Sequence, residues 1–365
     1  MLLKEVYNNE FLQELTAAIL SLDKKFDDKK FLRNFVGKSW EDKALKQRMR
    51  AVTIVLDEAL SPKEYRQKVE ILKAVAGKIT KGAGARLALI CFPDFVELFG
   101  CKEMLFDFSM QSLASLTEFG TSEFAVRQFL KLDEKRALTF FKKWAKDPNH
   151  HIRRLASEGC RPRLPWGEAL PSFKKNPAAI LPILEELKND ESEYVRKSVA
   201  NNLNDISKDN PAVVLELLGK WKGVVSSRLI AHSLRTLLKR GNKEALKLID
   251  IDSNILSENF TIQSFALEKE VIKISQNLTF EFALRNQASN NKIRIEYAVY
   301  FLNKNGSHGK KIFQITTKNF AEGVFSFTKK HSFRDLSTRK HNAGKHAIAL
   351  VVNGVEVGKI EFDLF

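Results

Sequence analysis

Apolar residues recur three and four positions apart through roughly the first 250 residues, the spacing of helices that bury one face. Clear examples are Phe11–Leu20, Leu45–Leu60 and Tyr65–Val75, whereas Phe92–Phe95, which contains a proline, predicts a turn. Helix pairs follow, and Asp147-Pro148 marks a boundary between two of them. The predicted pairs are Met104–Thr117 with Ser122–Leu130, Glu134–Ala145 with His150–Glu158, Ala178–Lys188 with Glu193–Ile206, and Ala212–Trp221 with Ser226–Lys239.

Two successive helix pairs contain versions of the same sequence segment. The segment Asp147–Ala156 reads Asp-Pro-Asn-His-His-Ile-Arg-Arg-Leu-Ala, and 43 residues later Asp190–Val199 reads Asp-Glu-Ser-Glu-Tyr-Val-Arg-Lys-Ser-Val. A period of about 40 to 47 residues with two helices per unit is typical of HEAT-type repeats, which stack because no unit buries its apolar face alone. The pattern therefore predicts a solenoid with a long concave wall.

The pattern changes after Gly241. From about Leu267 onward, short runs alternate between apolar and polar residues and are separated by Asn, Gly, Ser and Lys clusters, including the turn signal Asn353-Gly354. About seven short strands in a hundred residues predict a sandwich of the immunoglobulin kind. The predicted fold class is an α-helical HEAT-repeat solenoid, residues 1–256, followed by an all-β immunoglobulin-like sandwich, residues 265–365. The clearest runs are Glu270–Ile274, Leu278–Leu284, Ile293–Phe301, Lys311–Ile315, Ala347–Val352 and Glu356–Phe362.

The charge balance limits the partners. Sixty basic residues against 44 acidic ones give a formal net charge of +16, which favours nucleic acid, an anionic membrane surface or an acidic protein. The N-terminus lacks the apolar run of a signal peptide and no apolar stretch approaches a membrane span, so we expect a cytoplasmic protein that does not bind membranes. Cys91, Cys101 and Cys160 are scattered, and His150 and His151 lack a third ligand, so we expect no metal and no cofactor.

Candidate chemistry lies on the second helices of the repeats, where residues four apart share a face. Arg154 and Glu158 are one turn apart, and the repeat maps them onto Lys197 and Asn201, with Asp205 one turn further. In the preceding unit, Glu123 and Arg127 show the same spacing. Carboxylates in a basic groove weaken phosphate binding, so they indicate a catalytic use, unless they are solvated helix faces or internal ion pairs.

Two other features bear on the site: an acid and a base that recur at the same spacing in successive repeats, and a tryptophan in a proline-containing loop. Asp147 with Arg153, and Asp190 with Arg196, place an acid six residues before a base in successive repeats, which predicts a structural buttress between units. Trp166 lies in the loop Arg161–Gly167, which contains two prolines. That tryptophan is either a core residue or an exposed aromatic platform.

Several segments resemble the AlkC-type DNA alkylation repair glycosylases, relatives of the AlkD-type HEAT-repeat enzymes. The most specific is Glu158-Gly159 followed by Arg-Pro-Arg-Leu-Pro-Trp-Gly at Arg161–Gly167. One branch of this family carries a C-terminal immunoglobulin-like domain, which agrees with the strand-rich tail. The other matching segments are Phe92–Gly100, Thr117–Arg127, Arg153–Gly159 and Val195–Leu203.

The resemblance implies hydrolysis of the N-glycosidic bond of cationic N3-methylated bases, 3-methyladenine and 3-methylcytosine, in duplex DNA without base flipping. By family match, Glu158 and Asp205 stabilise the sugar cation and activate water, and Glu123 supports them. Trp166 stacks against the lesion's sugar, and Arg154 holds the backbone beside it.

We expect double-stranded DNA containing alkylated bases as the partner, a monomer in solution, and association with the nucleoid when DNA is bound. The alternative is a non-catalytic HEAT-repeat protein that binds damaged DNA or an acidic protein. A lyase is less favoured because no lysine stands out at the proposed centre. The predicted DNA-binding residues are Arg127, Arg154, Arg161, Arg163, Lys197, Lys310, Lys311, Arg339 and Lys340, and Lys329 and Lys330 are further candidates.

Overall fold

Helices fill the chain from Asn9 to Leu248 and strands follow from Phe260 to Leu364 in the computed structural model, which describes residues 2–79, 84–252, 260–287, 290–336 and 339–365. Short 3₁₀ turns supplement the helices. The helices are α1 Asn9–Leu20, α2 Asp28–Leu32, α3 Lys38–Glu41, α4 Leu45–Ala59, α5 Tyr65–Ala76, α6 Ala85–Ala88, α7 Cys91–Gly100, α8 Phe106–Leu116, α9 Val126–Leu132, α10 Glu134–Trp144, α11 His150–Gly159, α12 Pro171–Lys175, α13 Leu181–Leu187, α14 Glu193–Ile206, α15 Pro211–Trp221, α16 Ser227–Ser233, α17 Arg235–Lys239 and α18 Lys243–Leu248.

The predicted turn at Phe92–Phe95 is wrong, because these residues lie inside α7. Pro93 is tolerated there since it occupies the first turn, where a backbone N–H has no partner within the helix. The helix predicted over Ser226–Lys239 is divided into α16 and α17 at Leu234. The bounds of α14 agree with the predicted Glu193–Ile206.

The chain divides into two compact units, Met1–Asn210 and Pro211–Phe365. Helices α15 to α18 therefore group with the strands. The expected limits, 1–256 and 265–365, instead follow the change of secondary structure, and as domain limits they remain a prediction.

In the first unit, α10 with α11 and α13 with α14 form successive helical repeats, and α11 packs against α14. Leu155 and Ala156 of α11 and Val195 and Val199 of α14 are buried, and a buried side chain of Val or Leu size stabilises the fold by about 1.5–3 kcal/mol. Gly159 ends α11 at a tight contact, since a Cβ there would lie 2.7 Å from Val126 Cγ2. This close approach fixes the end of the helix that carries Glu158.

In the second unit, the strands form two sheets that enclose one apolar core. The core contains aromatic and aliphatic residues from both sheets, among them Phe280, Phe282, Ile295 and Leu350. The predicted turn at Asn353-Gly354 is confirmed: both residues have positive φ, 47° and 80°, as in a type I′ hairpin turn. Within the described residues the sheet orders are β1-β3-β6 and β2-β8-β7-β4-β5. The strands are β1 Phe260–Leu267, β2 Val271–Ile272, β3 Asn277–Asn286, β4 Asn291–Leu302, β5 His308–Phe320, β6 Gly323–Ser332, β7 Gly344–Val352 and β8 Val355–Leu364.

Candidate active site

The repeated aspartates start the two helices that carry the candidate site. Asp147 Oδ1 accepts a hydrogen bond from the Asn149 backbone at 2.8 Å, and Asp190 Oδ1 accepts one from the Ser192 backbone at the same distance. Each aspartate thus stabilises the turn that leads into α11 or α14. The two helices consequently begin at equivalent places in successive repeats.

The repeated arginines have the predicted structural role. Arg153 donates from Nε and Nη2 to the two carboxylate oxygens of Asp190, at 2.6 and 3.0 Å, and from Nη1 to the Asp147 carbonyl at 3.0 Å. In the next repeat, Arg196 donates to the Asp190 carbonyl. The buttress between units is confirmed for Arg153. Its carboxylate partner is Asp190 of the following repeat, and Asp147 of its own repeat contributes a backbone carbonyl. This bidentate pair sets the spacing between α11 and α14.

Six side chains of alternating charge run across the first unit in an unbroken row, which we name the charge ladder. At one end, Arg154 donates to the carboxylate of Glu123 and lies 3.4 Å from Glu158 through its Nη2 atom. Arg154 also donates to Thr121 Oγ1 at 3.0 Å, and its guanidinium lies 5.0 Å from the ring centroid of Tyr194. The members of the ladder, in order, are Glu123, Arg154, Glu158, Arg161, Asp205 and Lys208.

At the other end, Arg161 joins the two carboxylates that the sequence identifies as catalytic candidates. Its Nη1 donates to Glu158 Oε1 at 2.6 Å, and its Nε donates to Asp205 Oδ2 at 2.8 Å. Ser198 Oγ donates to the second oxygen of Glu158 at 2.6 Å, and Lys208 Nζ donates to Asp205 Oδ1 at 2.9 Å. Both carboxylates are therefore held at both oxygens.

Burial and neighbouring charges shift the pKa of Glu158 in opposite directions. Glu158 and Asp205 are 5% and 1% exposed. Burial would raise the pKa of Glu158, but the guanidinium groups of Arg154 and Arg161 outweigh it and hold that pKa below its usual range. The negative charge of Glu158 is thus retained in a site with little solvent. Such fixed charge stabilises a cation that develops nearby more strongly than it would in water.

Trp166 is an exposed platform. Its side chain is 59% exposed, and its φ of 63° is rare for a bulky residue. The Gly167 backbone donates to the Leu164 carbonyl at 3.1 Å, so Leu164–Gly167 forms a turn with Pro165 second and Trp166 third, the arrangement of a type II turn. Glycine normally occupies that third position. A strained, exposed tryptophan there indicates a functional demand.

Comparisons with known proteins agree with this geometry. Residues 117–245 match the family described as DNA alkylation repair enzyme, and residues 261–365 match the family described as "Uncharacterised protein YhaZ, C-terminal Ig-like domain". The chain is 40% identical to "Uncharacterized protein YhaZ" of Bacillus subtilis strain 168, over 99% of both chains. A solved structure of the alkylpurine DNA glycosylase AlkC of Pseudomonas fluorescens, bound to DNA containing an abasic site analog, is 33% identical and covers 100% of both chains with a TM-score of 0.92.

The chain belongs to the AlkC-type family of DNA alkylation repair glycosylases. The predicted fold class, helical repeats followed by an immunoglobulin-like sandwich, is confirmed by the same comparisons. Among the described residues, no helix is long and apolar enough to cross a membrane, and no three His, Cys, Asp or Glu side chains are grouped as a metal site.

Two predicted DNA contacts of this AlkC-type chain need correction. Arg127 is 1% exposed and donates to the backbone carbonyls of Glu168, Gly159 and Arg161, so it cannot reach a phosphate. The one-turn spacing of Glu123 and Arg127 does not place them on one helix face, because Glu123 precedes α9, and Glu123 pairs with Arg154. Arg161 is 5% exposed and is occupied by Glu158 and Asp205. Both arginines therefore support the site from within.

The other basic residues predicted in the helical repeats are more accessible. Lys197 is exposed and lies 3.2 Å from Glu193, outside the charge ladder. Arg163 donates to both carboxylate oxygens of Asp209, at 2.8 and 2.7 Å, and its side chain is 39% exposed. DNA contacts by these two residues stay predictions.

In the sandwich of this AlkC-type chain, basic residues from distant parts of the sequence come together. Lys310, Lys311, Arg339 and Lys340 all line one cavity of about 220 Å³. The Arg339 guanidinium lies 4.0 Å from the ring centroid of Phe301, which holds it in place. This grouping supports the predicted contacts without testing them.

The sequence reasoning missed two members of the site. Lys208 follows Asp205 by three residues, a spacing at which helix-end side chains meet, so this contact could have been predicted. Ser198 offered no such signal, because its partner Glu158 belongs to the preceding repeat. Only the packing of α11 against α14 brings these two residues together.

Proposed function

We propose that this chain is a monofunctional DNA glycosylase that hydrolyses the N-glycosidic bond of cationic N3-alkylated bases, 3-methyladenine and 3-methylcytosine, in duplex DNA. Membership of the AlkC-type family supports this activity, and the related Pseudomonas fluorescens enzyme is an alkylpurine DNA glycosylase bound to DNA with an abasic site analog. The observation that carries the proposal is a pair of buried carboxylates, Glu158 and Asp205, joined by Arg161.

The chemistry of the lesion suits such a site. An N3-methylated base carries a positive charge, so when the glycosidic bond breaks the base keeps the bonding electrons and leaves as a neutral molecule. No general acid is required for this step. The positive charge passes to the sugar, and a water molecule must then attack the anomeric carbon. The enzyme therefore needs fixed negative charge and a base for water rather than a proton donor.

The site residues take corresponding roles. Glu158 and Asp205 stabilise the sugar cation and activate water, and Glu123 holds Arg154 at the end of the ladder. Each bound carboxylate oxygen has more than one acceptor direction, so a carboxylate held by Arg161 still accepts a hydrogen bond from water. The exposed ring of Trp166 stacks against the sugar and attracts its cationic region.

We propose that excision proceeds without flipping the base, on a duplex held by exposed basic residues. Lys310, Lys311, Arg339 and Lys340 would contact the phosphate backbone, together with Arg163 and Lys197. Backbone contacts of this kind make binding fall steeply with salt. We propose a monomer as the active form.

The test is release of base from duplex DNA treated with an agent that produces N3-methyl bases, scored by mass. We expect release of 3-methyladenine and 3-methylcytosine by the full-length protein and its loss in Asp205→Asn, which keeps the size of the side chain. Tight, salt-sensitive DNA binding without release would show a damage-binding protein instead. Absence of both release and DNA binding would favour the acidic protein partner.

A further inference from the structure

A second polar cavity lies in the first unit, beside the charge ladder but lined by different helices. It occupies about 230 Å³ where α4, α7, α9 and the loop after Trp166 meet. Two elements connect it to the candidate site. Thr121 lines the cavity and accepts the hydrogen bond from Arg154, and Gly167 and Glu168, which follow Trp166 directly, form part of its wall.

The charges around this cavity nearly cancel. Lys46, Arg50 and Arg127 contribute three cations, Asp94 and Glu168 contribute two carboxylates, and Glu97, whose pKa burial raises to about 7, is ionised in part near neutral pH. Arg50 lies 2.8 Å from Asp94 and 3.3 Å from Glu97, so its charge is already opposed. A cavity with this balance does not favour a phosphate, which requires an excess of cations. It favours a neutral ligand.

The wall also offers a hydrogen-bonding group that the protein does not use. Arg50 donates to Oε1 of Glu97, and no described residue donates to its Oε2. Burial, reinforced by Asp94, raises the pKa of Glu97 to about 7, so this carboxyl is available as both donor and acceptor.

The remainder of the wall is apolar and partly aromatic. Met49, Ile90 and Pro93 lie beside Phe124, and Lys46 Nζ lies 4.7 Å from the centroid of the Phe124 ring. Flat heterocycles stack on such a ring while their edges hydrogen-bond to polar neighbours. Pockets for drug-sized ligands have volumes of about 300–1,000 Å³, so a cavity of about 230 Å³ suits one smaller ring system.

We propose that this cavity binds the neutral base that the glycosylase reaction releases. The inference rests on the proposed function, because the free base arises only when the glycosidic bond of the lesion is cleaved. The cavity would hold that base next to the charge ladder after the glycosidic bond is broken. Free base should then compete for the cavity and slow the release of further product.

The experiment measures binding of free 3-methyladenine to the full-length protein by equilibrium dialysis. We expect binding by the wild type and at least about five-fold weaker binding, close to 1 kcal/mol, in Glu97→Gln and in Phe124→Leu. Glu10→Gln is the matched control, since Glu10 is exposed on α1 and does not line the cavity. It should bind the base as the wild type does.

Glu158→Gln separates this inference from the proposed function, because Glu158 does not line the cavity. We expect this variant to lose excision and to bind free 3-methyladenine normally. Excision by the wild type with no binding of free base at millimolar concentration would overturn the product site and leave the glycosylase intact. Equal binding by Glu97→Gln, Phe124→Leu and the wild type would place the base elsewhere and would also overturn it.

Discussion

Arg161 donates from Nε to Asp205 Oδ2 at 2.8 Å, and its Nη2 lies 2.8 Å from the same oxygen. Both side chains are almost wholly buried, and Arg161 Nη1 holds Glu158 at the same time. Two carboxylates of neighbouring repeats would otherwise repel each other in a site with little solvent. The arginine keeps both of them in place and helps to hold the pKa of Glu158 below its usual range, so the proposed catalytic centre depends on a residue that is itself buried.

Replacing Arg161 should therefore damage both stability and activity. In Arg161→Met, two buried carboxylates lose their shared partner, and we expect the free energy of unfolding to fall by about 3–5 kcal/mol. Urea unfolding followed by circular dichroism measures this. The control is Arg163→Met, two residues away, whose partly exposed pair with Asp209 contributes less than about 1 kcal/mol. Similar losses in the free energy of unfolding of the two variants would show that the buried pairing of Arg161 stabilises the fold no more than the exposed pairing of Arg163.

The two carboxylates should matter for excision far more than for DNA binding. We expect Asp205→Ala and Glu158→Ala each to lower the excision rate by about 10²–10³-fold, the usual effect of removing one transition-state contact. Binding to duplex DNA with an abasic site should stay largely intact, because phosphate contacts come from other residues. Single-turnover excision and a binding titration at fixed salt measure the two effects. Normal excision by both variants would show that the catalytic assignment is wrong.

Two substitutions of Trp166 should differ in their effect on stability while having the same effect on activity. Its φ of 63° suits glycine, so Trp166→Gly should be about 1 kcal/mol more stable than Trp166→Ala, which keeps a Cβ in the strained conformation. Both variants lose the aromatic face, so both should lose excision to the same extent. Thermal unfolding and excision assays on this pair give the comparison. If Trp166→Ala excises normally, the proposed stacking role is wrong.

The sequence predicts this structure well where interacting residues are close together in the chain, and poorly where they are far apart. The bounds of α14 follow from a local apolar stripe, and the fold class follows from a repeat visible by eye. In contrast, β6 is not among the predicted runs, because its apolar residues give way to Lys329 and Lys330. The burial of Arg127 was also not predictable, since the carbonyls that it binds lie more than thirty residues away. Local pattern identifies helices, but only packing shows which charges meet.

Lys208 tests whether the enzyme is monofunctional. A lyase needs a neutral lysine amine that attacks the sugar, and Lys208 Nζ lies at the centre, 2.9 Å from Asp205 Oδ1. In this contact the amine donates to a carboxylate, so it is already engaged within the protein. We therefore expect no covalent adduct when the wild type is incubated with abasic DNA and borohydride. An adduct that forms with the wild type and disappears in Lys208→Gln would show a lyase.

In the sandwich, His331 is buried among the rings of Tyr297, Phe313 and Phe333. The Tyr297 hydroxyl lies 3.0 Å from His331 Nδ1, at hydrogen-bonding distance. Burial, followed by His341 and Arg339, lowers the pKa of His331 to about 4. An unfolded chain takes up this proton near pH 6.5, so between these two pH values the unfolded state binds the proton and the folded state does not.

The stability of the sandwich should therefore be complete above pH 6.5, fall as the pH is lowered, and level off below about pH 4, with a loss of up to about 3 kcal/mol. Hydrogen exchange of the β3 and β6 amides at several pH values follows this loss. In His331→Asn the slope should largely disappear, because the amide oxygen accepts from Tyr297 without titrating. His308→Asn is the control, since His308 is exposed on β5 and should leave the slope unchanged. A slope that persists in His331→Asn would assign the pH dependence to another group.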